Sequence, residues 1–315
     1  MHDEAIRKAD VLIEALGYIR KFHGAFVVVK LGGSVMEDPE SLQALLVDVV
    51  FMQSVGMRPL IVHGGGKAIT RAMERAGLEP RFVQGRRYTD EATLEIVARV
   101  LAEEINADIV RHIVKYGGRA AGLHHKTTPC LFGTRLTLTD DQGQPIDLGR
   151  VGEVRRVDTH PLINLCLAGV VPVLPSIAVE EVPTDPPSDS AGESKAIQGE
   201  PSRITPPLLN VNADTAAAAV ARAMSADKFV FLTDTPGILR HKEDPSSLIR
   251  GLNPAMCHDL IASGVIDRGM IPKVQAGLDS LKAGVGKVHV IDGRLRHSLL
   301  LEIFTEQGIG TEIHP

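Results

Sequence analysis

The stretch Phe26–Gly33, with the sequence FVVVKLGG, combines an apolar run, one lysine and two glycines. An apolar, β-branched run is typical of a strand that is buried on both faces of a parallel sheet. The glycine pair predicts a tight turn directly after the strand. Lys30 therefore stands near the end of a buried strand, where an ammonium group is costly unless a negative group meets it. The alternative is that only the stem of Lys30 is buried and its amine reaches water.

The order of strand, glycine turn and helix recurs along the chain. Asp38 and Pro39 predict the N-cap and first residue of a helix that extends to Val50. Further strands are predicted at Pro59–Val62, Val170–Leu174, Lys228–Leu232 and Val288–Ile291, and further helices over 68–76 and from Thr89 or Asp90 to Gly117. Strands that alternate with helices predict an α/β protein with a mostly parallel sheet.

Three segments depart from this order. Residues 8–21 carry apolar side chains at helical spacing and predict an amphipathic helix before the first strand. Residues 135–152 predict a β-hairpin around Asp140–Gly143. Residues 181–207 contain six prolines and almost no large apolar side chain, so they predict a mobile insertion.

The composition argues against several classes of protein. The 34 basic and 39 acidic residues give a net charge of -5, which gives no reason to expect nucleic acid or an anionic membrane as a partner. Cys130, Cys166 and Cys257 form neither a metal-ligand nor a disulfide pattern. The first residues lack a signal peptide, and the longest apolar stretch, 162–179, is interrupted by prolines. We therefore expect a cytoplasmic protein.

Glycine turns that follow strands are candidate anion sites. Gly32–Gly33 and Gly64–Gly66 each follow a predicted strand, and residues 233–237 (TDTPG) follow a third. Such a turn exposes backbone N–H groups beside a helix N-terminus, whose partial positive charge attracts anions. The alternative is that the glycines only permit tight turns. Two such turns in one sheet favour a site for two anionic groups.

Polar residues in the C-terminal half add further candidates. Lys273 follows Pro272 at the predicted start of a helix. Alternation places Asn210 and Asp214 on one side of an extended segment. Asp214 also stands where the N-cap of the next helix is expected, so capping is the alternative to a catalytic role.

Five motifs in this order give the chain a specific resemblance. They are Val29–Gly33 (VKLGG), Val62–Gly66 (VHGGG), Asn210–Asp214 (NVNAD), Leu232–Asp234 (LTD) and Gly269–Val274 (GMIPKV). Over nearly its whole length except 181–207, the chain resembles the amino-acid kinase family, and within it the members that phosphorylate N-acetyl-L-glutamate. The resemblance implies an open, mainly parallel sheet between helical layers. It also implies an N-acetyl-L-glutamate-binding lobe over 25–180 and an ATP-binding lobe over 208–315, with ATP and Mg²⁺ as cofactors.

The resemblance also implies roles for single residues. In catalysis, Lys30 and Lys273 would stabilise the transferred phosphoryl group. Asp214 would position these two lysines. The substrate would be bound by Gly65, Gly66, Arg87 and Asn210. The nucleotide would lie against Gly32, Gly33, Thr233 and Asp234. No metal ligand from the protein is implied, and Arg86 beside Arg87 leaves open which guanidinium points inward.

At both ends the chain resembles the arginine-sensitive members of the family. The resemblance implies that the helix within 1–24 joins dimers into a hexameric ring, and that L-arginine is an inhibitor. The residues implied to contact L-arginine are Lys228, Glu302 and Gly308. Two other hypotheses stay open: a kinase for another amino-acid carboxylate, and a non-catalytic arginine-sensing protein of the same fold.

Overall fold

The structure is a computed structural model that describes residues 2–140, 142–181, 207–267, 269–305 and 307–315. Apart from its two end residues, the insertion predicted at 181–207 lies outside the described residues. The described strands are β1 (Phe26–Leu31), β2 (Arg58–His63), β3 (Phe82–Val83), β4 (Arg86–Arg87), β5 (Ala120–Gly122), β6 (Leu131–Arg135), β7 (Leu138–Thr139), β8 (Pro145–Ile146), β9 (Val151–Val157), β10 (Val171–Pro175), β11 (Ile177–Glu180), β12 (Leu208–Val211), β13 (Lys228–Thr233), β14 (Gly251–Leu252), β15 (Lys287–Asp292) and β16 (Thr311–Ile313).

The described helices are α1 (His2–Phe22), α2 (Gly33–Glu37), α3 (Pro39–Ser54), α4 (Gly66–Arg75), α5 (Glu91–Ala98), α6 (Asn106–Lys115), α7 (Thr159–Leu167), α8 (Ala213–Ala223), α9 (Pro254–Ala262), α10 (Ile271–Lys282) and α11 (Ser298–Ile303). A π-helix (Arg99–Ile105) joins α5 to α6, and a 3₁₀ turn covers Pro245–Ser247. None of these helices is long and apolar enough to cross a membrane.

A central sheet confirms the predicted α/β class. Its strand order is β14-β16-β15-β13-β1-β2-β10-β5, and β15 and β16 form its antiparallel pair while the other neighbours run parallel. β1 lies between β13 and β2, with Lys30 opposite Phe231 and Val62. The predicted strands at the centre of the sheet are each within about two residues of the observed ones.

Both faces of β1 are buried, as its unbroken apolar pattern predicts. Val27, Val29 and Leu31 face a core shared with α3 and α11, whereas Val28 faces a core shared with α8. Because side chains alternate along a strand, Lys30 points to the same face as Val28, towards α8. The alanine-rich side of α8 packs against β1, β2, β13 and β9.

A small closed barrel was not predicted. It consists of β11, β12, β9 and β6, and it places β12 beside the end of the central sheet. The predicted hairpin over 135–152 is confirmed, since β6 pairs antiparallel with β9, and β7 with β8. The barrel was missed because β11 and β12 are only four residues each and are separated in the chain by the insertion.

Two helix starts test the capping predictions. Asp90, one of the two residues predicted to open the helix, is the N-cap of α5, where its side chain accepts a hydrogen bond from the Thr93 N–H. Asp214 does not have the capping role that was the alternative to catalysis: Asn212 caps α8, with its side chain accepting from the N–H groups of Asp214 and Thr215. Asp214 lies in the first turn of α8 instead, so its carboxylate is available for other contacts.

Candidate active site

Lys30, Asp214 and Lys273 form one buried ionic cluster. The two oxygens of Asp214 contact different lysines, with Lys30 Nζ 2.8 Å from Oδ1 and Lys273 Nζ 3.1 Å from Oδ2. The side chains of Lys30, Asp214 and Lys273 are 10%, 12% and 22% exposed. The cluster therefore joins the end of β1 to the first turns of α8 and α10.

The charge balance of this cluster favours an ionised carboxylate. Burial alone would raise the pKa of Asp214, but the charges of Lys30 and Lys273 outweigh it and hold that pKa below its ordinary value. Asp214 also lies near the positive end of the α8 dipole. Two ammonium groups with one carboxylate leave a net positive charge, which suits an anionic ligand.

A first cavity, of about 240 Å³, opens beside Lys30 at the carboxyl ends of the central strands. Its lining includes Gly33, Gly64–Gly66, Arg86, Arg87, Ser176 and Asn210–Ala213. The structure thus brings Lys30 and every predicted substrate-binding residue to one cavity. Gly65 precedes α4 and Gly66 is its first residue, so N–H groups at a helix N-terminus border this cavity.

Arg87 is buried within this cavity wall, and Arg86 is less so. The Arg87 guanidinium donates to the Gly66 carbonyl oxygen at 2.9 Å and to Thr70 Oγ1 at 2.7 Å, and it lies 4.8 Å from the centre of the Phe82 ring. Burial lowers the pKa of Arg87, yet a guanidinium stays protonated in proteins. Among the described residues no carboxylate lies within salt-bridge distance of Arg87. Its charge is therefore free to bind an anion.

Thr89 connects two of the predicted substrate-binding residues, and the sequence identified it only as a helix start. Its hydroxyl accepts a hydrogen bond from Asn210 Nδ2 at 3.0 Å and lies 2.9 Å from the Arg87 carbonyl oxygen. Thr89 is fully buried. The position of Asn210 is thereby tied to the strand that carries Arg87.

A second cavity, of about 530 Å³, lies on the other side of the ionic cluster. Lys273 lines it together with Thr233, Asp234 and residues 235–239, 265–267, 269 and 270, so the lining includes both apolar and acidic side chains. Gly32 and Gly33 form the turn after β1, where Gly33 lines the first cavity and Gly32 lines neither. A methyl group at Gly32 would be 2.6 Å from the Leu232 carbonyl oxygen, which explains the glycine. Predicted nucleotide-binding residues are thus divided between Gly33 in the first cavity and Thr233 and Asp234 in the second.

His63 and Asn106 were not predicted as site residues. His63 is fully buried below the glycine turn, with Nδ1 3.0 Å from the Gly64 carbonyl oxygen and Nε2 3.1 Å from Asn106 Nδ2. Burial lowers the pKa of His63 to about 4, so its imidazole is neutral at pH 7. A histidine that ends an apolar strand beside three glycines was a signal that could have identified it.

The predicted arginine contacts lie together at the opposite end of the sheet. Lys228 Nζ is 3.3 Å from His289 Nε2, and His289 Nδ1 is 2.7 Å from Glu302 Oε1. Glu302 Oε2 accepts hydrogen bonds from two backbone N–H groups, including that of Gly310 at 2.9 Å. Gly308 packs so closely that an added methyl group would be 2.7 Å from Glu302 Oε2. The cluster thus holds a buried lysine and a buried carboxylate on either side of His289.

Comparison with known proteins identifies the family. Residues 25–292 match the amino acid kinase family, and the chain belongs to that family. An acetylglutamate kinase of Heliobacterium modesticaldum is 43% identical over 314 residues, covering 98% of this chain and 99% of that protein. One of Methanococcus vannielii is 41% identical over 310 residues, covering 98% of each chain.

Solved structures show the same fold at lower identity. An N-acetylglutamate synthase from Neisseria gonorrhoeae, complexed with coenzyme A and L-arginine, superposes with a TM-score of 0.75 at 22% identity. That comparison covers 97% of this chain and 65% of the longer synthase chain. A carbamate kinase from Giardia lamblia bound to AMP-PNP superposes with a TM-score of 0.59 at 13% identity, covering 92% of this chain and 98% of that one.

The buried His63 predicts a specific loss of stability in acid. Between its ordinary pKa of 6.5 and its lowered value of about 4, the unfolded chain binds a proton that the folded chain does not, so stability falls as the pH falls. From pH 7 to pH 5, we expect the free energy of unfolding to drop by about 2 kcal/mol more in the wild type than in His63→Gln. Urea unfolding at each pH measures this difference. Between pH 8 and pH 7 the two curves should run parallel, and parallel curves down to pH 5 would contradict the prediction.

Proposed function

We propose that this protein transfers the γ-phosphoryl group of ATP to the side-chain carboxylate of N-acetyl-L-glutamate, a step of arginine biosynthesis. The products are N-acetylglutamyl 5-phosphate and ADP. The observation that carries the proposal is the Asp214 carboxylate, which contacts lysines that line two different cavities. Acetylglutamate kinases that are 40–43% identical over nearly the whole chain supply the identity of the acceptor.

The chemistry requires no general base, because the acceptor carboxylate is already an anionic nucleophile. One of its oxygens attacks the γ-phosphorus while the bond from phosphorus to the β,γ-bridging oxygen breaks, and ADP leaves with that electron pair. The protein's task is to align two anions and to neutralise charge on the transferred oxygens. Lys30 reaches the transferred group from the acceptor side and Lys273 from the nucleotide side. Asp214 holds both ammonium groups in place.

Acceptor binding follows from the charges around the first cavity. Arg87 would pair with the α-carboxylate, since its guanidinium has no carboxylate partner among the described residues. Asn210 would hold the acetamido end, and the Gly65 and Gly66 N–H groups would face the carboxylate that is phosphorylated. Because Lys30 borders the same cavity, both ends of a dicarboxylate meet a cation.

The second cavity suits a nucleotide. It combines an apolar wall with Thr233 and Asp234, and Lys273 lies at its edge. When Mg²⁺ is bound to the nucleotide, it neutralises charge on the phosphate oxygens. Among the described residues, no group of three or more His, Cys, Asp and Glu side chains is placed to hold a metal. Asp234, Glu243 and Asp267 are the carboxylates among the described residues that line this cavity.

The residues that line the two cavities also support the two proposed lobes. The first cavity is lined mainly from within 25–180, and the second entirely from within 208–315. Asn210–Ala213 is the segment of the second lobe that reaches the first cavity. An ATP-dependent biosynthetic reaction, together with three buried cysteines that form no disulfide, suits the cytoplasm.

Lys30→Ala tests the catalytic role of the ionic cluster. We expect kcat to fall by a factor of about 10² to 10³, because a preorganised donor to the transferred group is lost. The assay is ADP release with and without N-acetyl-L-glutamate. Lys287→Ala is the matched control, since Lys287 lies at the opposite end of the parallel sheet and should leave kcat unchanged. Equal activity of the wild type and Lys30→Ala would reject the mechanism.

The same assay separates the competing functions. ADP release with aspartate, glutamate or an N-acetylated aminoadipate, but not with N-acetyl-L-glutamate, would assign another acceptor. Arginine binding without ADP release for any acceptor would identify a non-catalytic sensor.

We further propose that L-arginine inhibits the enzyme at the cluster of Lys228, Glu302 and Gly308. Burial lowers the pKa of Lys228, and a ligand carboxylate beside it would stabilise the ammonium form. Glu302 offers a buried carboxylate for a guanidinium, and each of its oxygens can accept more than one hydrogen bond. Both ends of one amino acid could thus meet a side chain of opposite charge within this cluster.

Inhibition by arginine has a direct test. Millimolar L-arginine should lower activity and raise the melting temperature. Glu302→Gln should raise the arginine concentration needed for each response at least tenfold, since a charged hydrogen-bond acceptor is lost. L-Citrulline, which carries no guanidinium, is the control ligand. If arginine changed neither activity nor melting temperature, the site would be rejected.

Helix α1 supports the proposed oligomer. Its surface exposes Leu12, Ile13 and Leu16 at helical spacing, whereas Tyr18 and Phe22 pack against Phe304, which follows α11. An exposed apolar stripe of this kind suits pairing with a second copy of α1. Such pairing would join dimers into a hexamer.

Replacing Leu12 tests this assembly. Leu12→Asp should reduce the mass measured by light scattering from that of a hexamer to that of a dimer, because a charge is placed in the apolar stripe. Val114→Asp, at an exposed apolar position of α6, makes the same change of charge and is the control. A mass that is unchanged by Leu12→Asp would rule out pairing through α1.

A further inference from the structure

The glycine turn after β2, Gly64–Gly66, exposes backbone N–H groups, and contacts from outside the turn must fix their direction. Gly65 is the N-cap of α4 and has no side chain to fix the turn. The first N–H groups of a helix have no partner within the helix. Among the described residues, no acceptor takes the N–H of Gly65. The direction of these N–H groups therefore depends on what lies beneath the turn.

His63 lies beneath the turn, and its hydrogen bonds define its tautomer. Asn106 Nδ2 lies 2.9 Å from the Val173 carbonyl oxygen and 3.1 Å from His63 Nε2. An amide nitrogen carries two hydrogens and no acceptor lone pair, so Nε2 must accept. The imidazole proton is then on Nδ1, which donates to the Gly64 carbonyl oxygen at 3.0 Å.

The π-helix places the residues that contact this turn. Asn106 follows it directly, and its last residue, Ile105, reaches the turn from the same side. A methyl group added at Gly65 would lie 2.5 Å from Ile105 Cδ1 and 2.6 Å from Leu101 Cδ2. π-Helical segments add a residue to a turn and are frequent at functional sites. Here the segment brings apolar contacts to Gly65 and a donor to His63.

A glycine on the far side holds Asn106 in place. A methyl group added at Gly122, in β5, would lie 2.1 Å from Asn106 Oδ1, so the strand backbone packs directly against the amide. Asn106 is 1% exposed and His63 is fully buried. The chain of contacts from the π-helix to the Gly64 carbonyl thus consists of side chains with no room to reorient.

We propose that His63 and Asn106 are positioning residues for the phosphoryl acceptor. The Nδ1–H bond to Gly64 sets the plane of the peptide that joins Gly64 to Gly65, and with it the direction in which the turn's N–H groups point into the acceptor cavity. This inference rests on the proposed function, because it assigns the first cavity to the acceptor. Neither side chain lines that cavity, so neither is a catalytic residue.

Two amide substitutions at position 63 separate the two hydrogen bonds. In His63→Asn the side-chain amide lies near the position of Nδ1 and can still donate to Gly64. In His63→Gln it lies near Nε2, so it can pair with Asn106 but not with Gly64. Both variants remove the imidazole and bury an amide, which makes them a matched pair. A purely structural role would affect them alike.

We expect His63→Gln to raise the KM for N-acetyl-L-glutamate about tenfold, the effect of one misplaced hydrogen-bond donor, with kcat and the KM for ATP within about threefold of wild type. His63→Asn should keep the acceptor KM within about threefold of wild type. Equal acceptor KM values in the two variants, or a parallel rise in the KM for ATP, would overturn the proposal. If the wild type itself released no ADP with this acceptor, the proposed function would fail instead.

A measurement on the wild type covers the case in which a variant does not fold. The ¹⁵N chemical shifts of a uniformly labelled sample report which ring nitrogen of His63 carries the proton. We expect the Nδ1–H tautomer at pH 7. A proton on Nε2 would overturn the proposal, because the bond to the Gly64 carbonyl would then lack its donor.

Discussion

The ion pairs from Asp214 to Lys30 and Lys273 are the interaction on which the rest of the structure depends. Two ammonium groups this deeply buried would repel each other and lose their hydration without a carboxylate between them. Asp214 meets that requirement with one oxygen for each lysine. The arrangement keeps the site cationic overall while each lysine retains a partner before any ligand binds.

Three elements must meet for this cluster to form. β1 supplies Lys30 on the face that points to α8, α8 supplies Asp214 in its first turn, and α10 supplies Lys273 after Pro272. Asn212 contributes indirectly, because by capping α8 it leaves the Asp214 carboxylate unengaged by backbone. The site is therefore a consequence of strand direction and helix capping as much as of residue type.

Much of the fold and of the candidate site could be predicted from local sequence patterns. The features that were not predicted share a physical cause. The β1 run and its lysine predicted both the buried strand and the cationic site, because burial on two faces leaves a clear mark on composition. Capping stayed open as the alternative role of Asp214, although Asn212 is the N-cap, since both residue types cap helices and spacing alone does not choose between them. The π-helix and the barrel left no such mark: the first differs from an α-helix by one residue in a turn, and the second depends on pairing between distant short strands. His63 was not predicted because its proposed role is to hold the Gly64 carbonyl, and a contact of this kind leaves no periodic pattern in the sequence.

The alanines of α8 have a consequence for how this protein can change in evolution. Ala216–Ala219 and Ala221 are buried against neighbouring elements, and the helix they belong to carries Asp214. In most cores a larger apolar side chain is tolerated when neighbours repack. Here a wider side chain would move the helix outward and carry the carboxylate away from two lysines at once. Selection at these positions therefore acts on side-chain volume more than on hydrophobicity. The small side chains of α8 set the distance between the Asp214 carboxylate and its two lysines.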